Sequence, residues 1–352
     1  MKEKANKALV QAEKRESTSS GFGLAADKVD LTFGELVDQI DTENYYMTTQ
    51  EIPETSDGFE ELFAEPLIHL KEDFPLQPKI FGNLVPYQMN LWFGKGIQGT
   101  SSGLHHDYHD NMYILISGRK QFRLFPPSDI KKLYVKGNVK KVHKNGLICY
   151  SDVPTRSDGA NPVIIAQYNT EKAEKELAIA EAIFEKLEQS DASPDEIAEA
   201  SKKVSEAEEK LDEAMEASLE ACEFENDGED SEDESSIISH PNFSRITVDD
   251  LRGLKKSTNK EFPLFKKAKE IICEVKEGQM LYLPASWFHE VTSFSSSKDK
   301  PHCAMNYWVY PPCIDGSFEH PYEDDYWLDK WNERMNKLSN SNSPPLKRQR
   351  IK

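Results

Sequence analysis

Apolar and polar positions divide the chain into three textures. From Pro78 to Pro127 the apolar residues come in short alternating runs, Met89–Phe93, Asn111–Ile116 and Gln121–Phe125, the last stopped by Pro126 and Pro127. That alternation predicts half-buried strands, and Gly118 between the second and third runs predicts a hairpin turn. Ahead of them, Leu31–Ile40 has helical spacing and Asn44–Thr49 reads as a strand, while residues 1–30 are polar and weakly patterned and predict a frayed or partly helical lead. From Glu171 the period changes. Ala173, Leu177, Ala180, Phe184 and Leu187 form a heptad-like seam, and Ile197, Ala200, Val204, Ala207, Leu211 and Ala214 form a second. Ser193, Pro194 and Glu196 supply an N-cap, a first-turn proline and a capping box for the second helix.

Strand texture resumes at Ile271–Val275, Gly278–Pro284, Trp287–Thr292 and Cys303–Tyr310. Strands on both sides make residues 171–234 an insertion, an antiparallel helical hairpin ending in an acidic run from Glu223, predicted disordered, within one β domain spanning 31–325. Residues 326–352 form a tail.

Charge sharpens this division. The chain has 62 acids and 43 bases, net −19, and residues 171–234 alone hold 25 acids against six lysines. The remaining residues are therefore formally neutral, and the acidity predicts a basic protein partner at the insertion rather than direct nucleic-acid binding. Aromatic content of 10% suffices for a core and excludes wholesale disorder. No apolar run approaches the ~20 residues that span a bilayer, and the polar N-terminus carries no secretory h-region, so no membrane association is expected. Five cysteines with no C-x-x-C pair predict reduced thiols and a nuclear or cytoplasmic protein. The closing Leu346–Lys352 cluster reads either as a nuclear-localisation signal or as a solvated tail.

Chemistry concentrates around Leu104-His105-His106-Asp107. Residues two apart on an extended chain share a face, so His105 and Asp107 converge while His106 turns away. An imidazole and a carboxylate so placed need one distant histidine to complete a two-His-one-carboxylate triad, the pattern of non-haem Fe(II) oxygenases. Alone the pair is weak. Together, Leu104-His105-x-Asp107-x3-Asn111-x6-Gly118-x-Lys120-x5-Pro126-Pro127 and Gly278-Gln-Met-Leu-Tyr-Leu-Pro284-x2-Trp287-Phe-His289 resemble the JmjC family of 2-oxoglutarate oxygenases. The Leu-Phe-Pro-Pro-Ser-Asp run, the block ending in His289 and Asn306-Tyr-Trp are similar to its small protein hydroxylases, in particular the lysyl-hydroxylase branch. The resemblance covers about residues 30–325 without the insertion.

This resemblance implies a mainly β double-stranded β-helix, a cupin-like jelly roll with flanking helices. It implies that His105, Asp107 and His289 bind Fe(II) and that Lys120 meets the distal carboxylate of 2-oxoglutarate, with O2 as the other co-substrate. Ser102, Asn111 and Asn306 match co-substrate or pocket positions, and Tyr46 or Tyr45 matches an upstream co-substrate tyrosine. Family members carry further elements before the segment matching Leu31, so the thirty polar residues here imply a shortened or diverged outer sheet. His106 and His109 have no ligand counterpart and read as neighbours of the site or surface residues. Trp287 and Phe288 read as core and pocket wall, and Tyr113 as pocket lining or core. The activity implied is hydroxylation of a protein side chain, with lysine favoured. The alternatives are histone N-methyl-lysine demethylation, which lacks a zinc site or reader domain here, and a non-catalytic chromatin- or ribosome-associated binding protein.

Overall fold

The computed structural model describes residues 1–14, 28–41, 43, 45–52, 62–96, 99–151, 154–226, 240–255, 257–297, 300–314 and 318–340. The chain divides into two compact units, residues 1–148 with 238–352, and residues 149–237.

The first unit is built on two antiparallel sheets. Its strands are β1 (Leu9–Lys14), β2 (Lys28–Thr32), β3 (Tyr45–Met47), β4 (Pro86–Gly94), β5 (Thr100–Ser101), β6 (Asp110–Ser117) and β7 (Arg119–Phe125) before the second unit. Two short strands, β8 (Val139–Val142) and β9 (Ile148–Tyr150), lie outside both sheets. After the second unit come β10 (Ile271–Lys276), β11 (Met280–Leu283), β12 (Phe288–Phe294) and β13 (His302–Val309). The larger sheet has the order β11-β6-β13-β4-β3-β1-β2 and the smaller β10-β7-β12-β5. Every strand pair in them is antiparallel, as a jelly roll requires. Alternation places the core: on β7, Lys120, Phe122 and Leu124 are buried and Arg119, Gln121 and Arg123 are not. Phe122 and Leu124 pack with Tyr113, Leu115, Val275, Leu283 and Ala304.

Two expectations fail here. The described part of residues 1–30, namely 1–14 and 28–30, is not a frayed lead. β1 is an interior strand of the larger sheet, paired to β2 and β3, and Ala5, Ala8, Val10 and Ala12 are buried. Small residues carry that burial, so the segment shows little hydrophobic signal. Nor is Gly118 a hairpin turn, because β6 and β7 belong to different sheets. At Gly118 (φ +95°) the chain steps from one sheet to the other, and a Cβ there would stand 2.6 Å from the Phe294 carbonyl oxygen and 2.8 Å from His302 Cβ. Only glycine fits that crossing.

The second unit contains helices Pro162–Glu188 and Pro194–Asn226, packed on each other. Lys210 pairs with Glu176 at 3.2 Å, and Thr170 donates to Ala214 O at 3.3 Å, so the helices run antiparallel. Ser193 and Glu196 form the capping box, the Ser193 N–H donating to Glu196 Oε2 at 2.8 Å and the Glu196 N–H to Ser193 Oγ at 3.3 Å. The first helix begins nine residues before Glu171, where the change of period places its start. Asn161 caps it, its Oδ1 accepting from the Val163 N–H at 2.8 Å, and Pro162 takes its first turn. The second continues through Glu223 to Asn226, into the run predicted disordered; residues 227–239 and the basic cluster at 346–352 lie outside the described residues. Among the described residues no helix is long and apolar enough to cross a membrane.

Candidate functional site

Between the two sheets of the first unit lies a cavity of about 400 Å3. His105 reaches it from an isolated bridge after β5, Asp107 from the loop beyond, and His289 from the start of β12. His105 and His289 face each other across a short antiparallel bridge and exchange both backbone hydrogen bonds, at 3.1 and 2.7 Å. The Ser286 N–H donates to Asp107 O at 2.8 Å and fixes the carboxylate's stretch of chain. As a result, one ligand atom from each of the three side chains lies within 4.8 Å of the others. Asp107 Oδ1 is 4.0 Å from His105 Nε2, and Asp107 Oδ2 is 3.7 Å from His289 Nε2.

Both imidazoles are oriented from behind. His105 Nδ1 lies 3.2 Å from Gly103 O, and His289 Nδ1 lies 2.9 Å from Trp287 O. A carbonyl accepts only from N–H, so each Nδ1 carries the proton and each Nε2 turns a lone pair toward the centre. Burial, reinforced by His289 alongside, lowers His105 to about 4, which keeps it in the neutral, metal-binding form at neutral pH. Two lone pairs and a carboxylate at this spacing fit a borderline divalent ion such as Fe(II).

Further along the cavity, Lys120 is fully buried. Its Nζ is 2.5 Å from Ser293 Oγ and 3.4 Å from Tyr46 Oη, and among the described residues no carboxylate pairs with it. Burial lowers the ammonium to about 7. A buried cation set among hydroxyls and the Tyr46 and Tyr113 rings, with no paired carboxylate, is costly and is the complement of an anionic ligand carboxylate. The residues present therefore fit 2-oxoglutarate as well as the metal.

The other expected positions separate. Tyr46 lines the cavity, whereas Tyr45 lies beneath Lys14. Gly94, opposite Tyr46 in register, makes room for the phenol ring, since a Cβ there would stand 2.3 Å from Tyr46 Cδ2. Asn111 lines the cavity, and Asn306, fully buried behind it, donates to Asn111 Oδ1 at 3.0 Å and accepts from Trp92 Nε1 at 2.7 Å. Ser102 also lines the cavity, but its hydroxyl donates to Gly103 O and accepts from the Val291 N–H, both at 3.0 Å. Ser293 is the serine set against Lys120. It was legible in principle, because alternation from His289 through Val291 reaches Ser293 on the same face. His106 turns away, is fully buried and packs edge-on against Phe288, while His109 stacks on Tyr87 at 3.9 Å. Phe288 is fully buried and Trp287 packs on the core cluster. Neither lines the cavity, whose aromatic walls are Tyr46, Trp92, Tyr113, Phe122, Phe243 and Trp308.

Two antiparallel sheets enclosing a His-Asp-His cluster define a cupin-type fold and candidate oxygenase site, and the comparisons agree. A model of the cupin-like domain matches residues 2–314. JmjC domain-containing protein 4 of Schizosaccharomyces pombe is 33% identical over 366 residues, covering 90% of this chain and 76% of its own length. Lysine-specific demethylase JMJ32 of Arabidopsis thaliana is 24% identical over 224 residues, 63% of this chain and 41% of that protein. The human bifunctional peptidase and (3S)-lysyl hydroxylase JMJD7 is 37% identical over 60 residues, 17% of this chain and 18% of its own. The chain belongs to the cupin-like, JmjC-domain family, and that membership supports a 2-oxoglutarate/Fe(II) oxygenase.

Proposed function

We propose that this protein is an Fe(II)- and 2-oxoglutarate-dependent dioxygenase that hydroxylates a protein side chain, with lysine as the target. The observation that carries the reading is a single cavity holding both a cluster of two bare imidazole nitrogens and a carboxylate, and a buried ammonium set among hydroxyls and aromatic rings with, among the described residues, no carboxylate beside it. His105, Asp107 and His289 would hold the metal. Lys120, with Ser293 and Tyr46, would hold the distal carboxylate of 2-oxoglutarate. Metal and co-substrate together supply oxidation of an unactivated C–H bond by O2, with succinate and CO2 as co-products. The chain orients both imidazoles through backbone carbonyls, places a charge-assisted donor for the co-substrate, and surrounds the reacting centre with aromatic walls that exclude water.

Lysine as target is supported by the partial likeness to the lysyl hydroxylase. The likeness to lysine-specific demethylases favours a second reading on the same residue type, removal of an N-methyl group. A turnover assay with Fe(II), 2-oxoglutarate and lysine-bearing protein or peptide pools tests both. Succinate formation with a gain of one oxygen on the substrate supports hydroxylation, and formaldehyde release from methylated substrate supports demethylation. Succinate no higher than in His105→Ala across all pools would overturn the enzyme reading. As part of this proposal, the acidic residues 171–234 recruit a basic protein partner. Deleting them should weaken that binding and flatten its salt dependence; unchanged binding would refute it.

A further inference from the structure

His105 has a cross-strand neighbour on each edge, and only one of them belongs to the metal cluster. Toward His289 it makes the hydrogen-bonded type of antiparallel pair. Toward Phe243 the bridge is of the other type, with the bonds made by flanking residues: the His106 N–H donates to Asn242 O at 3.2 Å and the Ser244 N–H to Leu104 O at 2.9 Å. Side chains approach most closely across such a non-hydrogen-bonded pair. The Phe243 ring accordingly lies flat on the His105 imidazole, with centroids 4.7 Å apart and planes 10° from parallel. Phe243 is 8% exposed and forms part of the cavity wall. Its stretch of chain is held from both sides, since the Lys136 N–H donates to Phe243 O at 2.8 Å and Asn242 Nδ2 to His106 O at 2.6 Å.

The imidazole needs this support. Its Nδ1 anchor to Gly103 O, 3.2 Å, is at the long end of the hydrogen-bond range, against 2.9 Å for His289. One long bond leaves the ring free to rock, and a flat ring face against it removes that freedom.

We propose that Phe243 is a positioning residue of the metal centre: its ring face sets the plane of the His105 imidazole, and so the direction of the Nε2 lone pair, while closing that side of the centre to water. The inference rests on the metal-binding reading of His105, Asp107 and His289. It assigns a role to residues that follow the helical unit in the chain and that carry no metal-ligating group.

The test is Co(II) binding to the metal-free full-length protein, followed by visible absorption, whose ligand-field bands report coordination geometry independently of turnover. Phe243→Leu keeps an apolar volume but has no planar face, and Phe243→Tyr keeps the face. The expected result is that Phe243→Leu weakens Co(II) binding roughly tenfold and changes the band shape, while Phe243→Tyr stays close to wild type. Wild-type affinity and spectrum in Phe243→Leu would overturn the inference. So would equal loss in both variants, which would make the requirement one of exact fit rather than of a ring face. His105→Ala separates the two levels: if it binds Co(II) like wild type, the metal-binding reading itself fails, and the inference with it.

Discussion

Lys120 offers the sharpest test, because one substitution should move stability and co-substrate affinity in opposite directions. The perturbation is Lys120→Met, which keeps the length of the stem and removes the ammonium. In the unliganded protein the charge is a burden, since burial takes the group from its ordinary 10.5 to about 7. That shift corresponds to an upper bound of roughly 5 kcal/mol below pH 7. Replacing a buried charge with an apolar side chain of similar volume recovers about 1–4 kcal/mol, so the variant should be the more stable protein in urea at neutral pH. Between pH 7 and 10.5 the unfolded lysine holds a proton that the folded one has released. Wild-type stability should therefore climb with pH over that window, by up to about 1.4 kcal/mol per unit, and the variant should lack the climb. Co-substrate binding should respond in the reverse sense. Losing one partner of a buried ion pair costs about 3–5 kcal/mol, a rise of roughly two to four orders of magnitude in the 2-oxoglutarate Kd. Above pH 7 wild-type binding must also take up a proton, so its Kd should rise by up to about tenfold per pH unit. Urea unfolding reads the stability, and anaerobic calorimetry with 2-oxoglutarate from pH 6.5 to 9 reads the affinity without turnover. A Kd that is flat across the range and unchanged by Lys120→Met would refute the assignment.

Three further outcomes follow from the same geometry. Asp107→Ala removes the only carboxylate of the cluster and should abolish Fe(II) retention on gel filtration together with succinate formation; retained stoichiometric iron would contradict the ligand set. Gly118→Ala places a Cβ against the Phe294 carbonyl at positive φ and should lower the thermal midpoint by an amount equivalent to about 2 kcal/mol or more, whereas an unchanged midpoint would mean that the sheet crossing is not tight. His105, His106 and His109 are each lowered by burial to about 4, so the unfolded metal-free chain binds protons between pH 6.5 and 4 that the folded one does not. Stability should fall as pH drops through that window, with His106 alone contributing about 2 kcal/mol by pH 5; in urea titrations His106→Leu should show a shallower acid loss, and an identical slope would exclude His106 from it.

Much of this molecule is written locally. His105 and Asp107 converge because two residues apart share a face, Lys120 points inward because β7 alternates, and Ser193 caps its helix through a contact three residues long. Such features depend on near neighbours and on fixed backbone periods, so the order of residues suffices to state them, whereas His289 and the role of Lys120 came only from the family resemblance. The pairing of distant segments was not. β1 enters the larger sheet with Val10 and Ala12 as its buried apolar residues and otherwise through backbone hydrogen bonds, which leave little hydrophobic signature. Gly118 looks like a turn, yet it carries the chain between sheets, because what forces glycine there is the backbone of Phe294 and the side chain of His302. Tyr46 and Tyr45 are equivalent on paper and are separated only by which face of β3 meets the cavity. Ser293 reaches Lys120, and Phe243 reaches His105, across strand pairings between residues more than a hundred positions apart. Sequence determined which groups are available for the chemistry; tertiary structure decided which of them meet, because cross-strand register is a property of two segments at once.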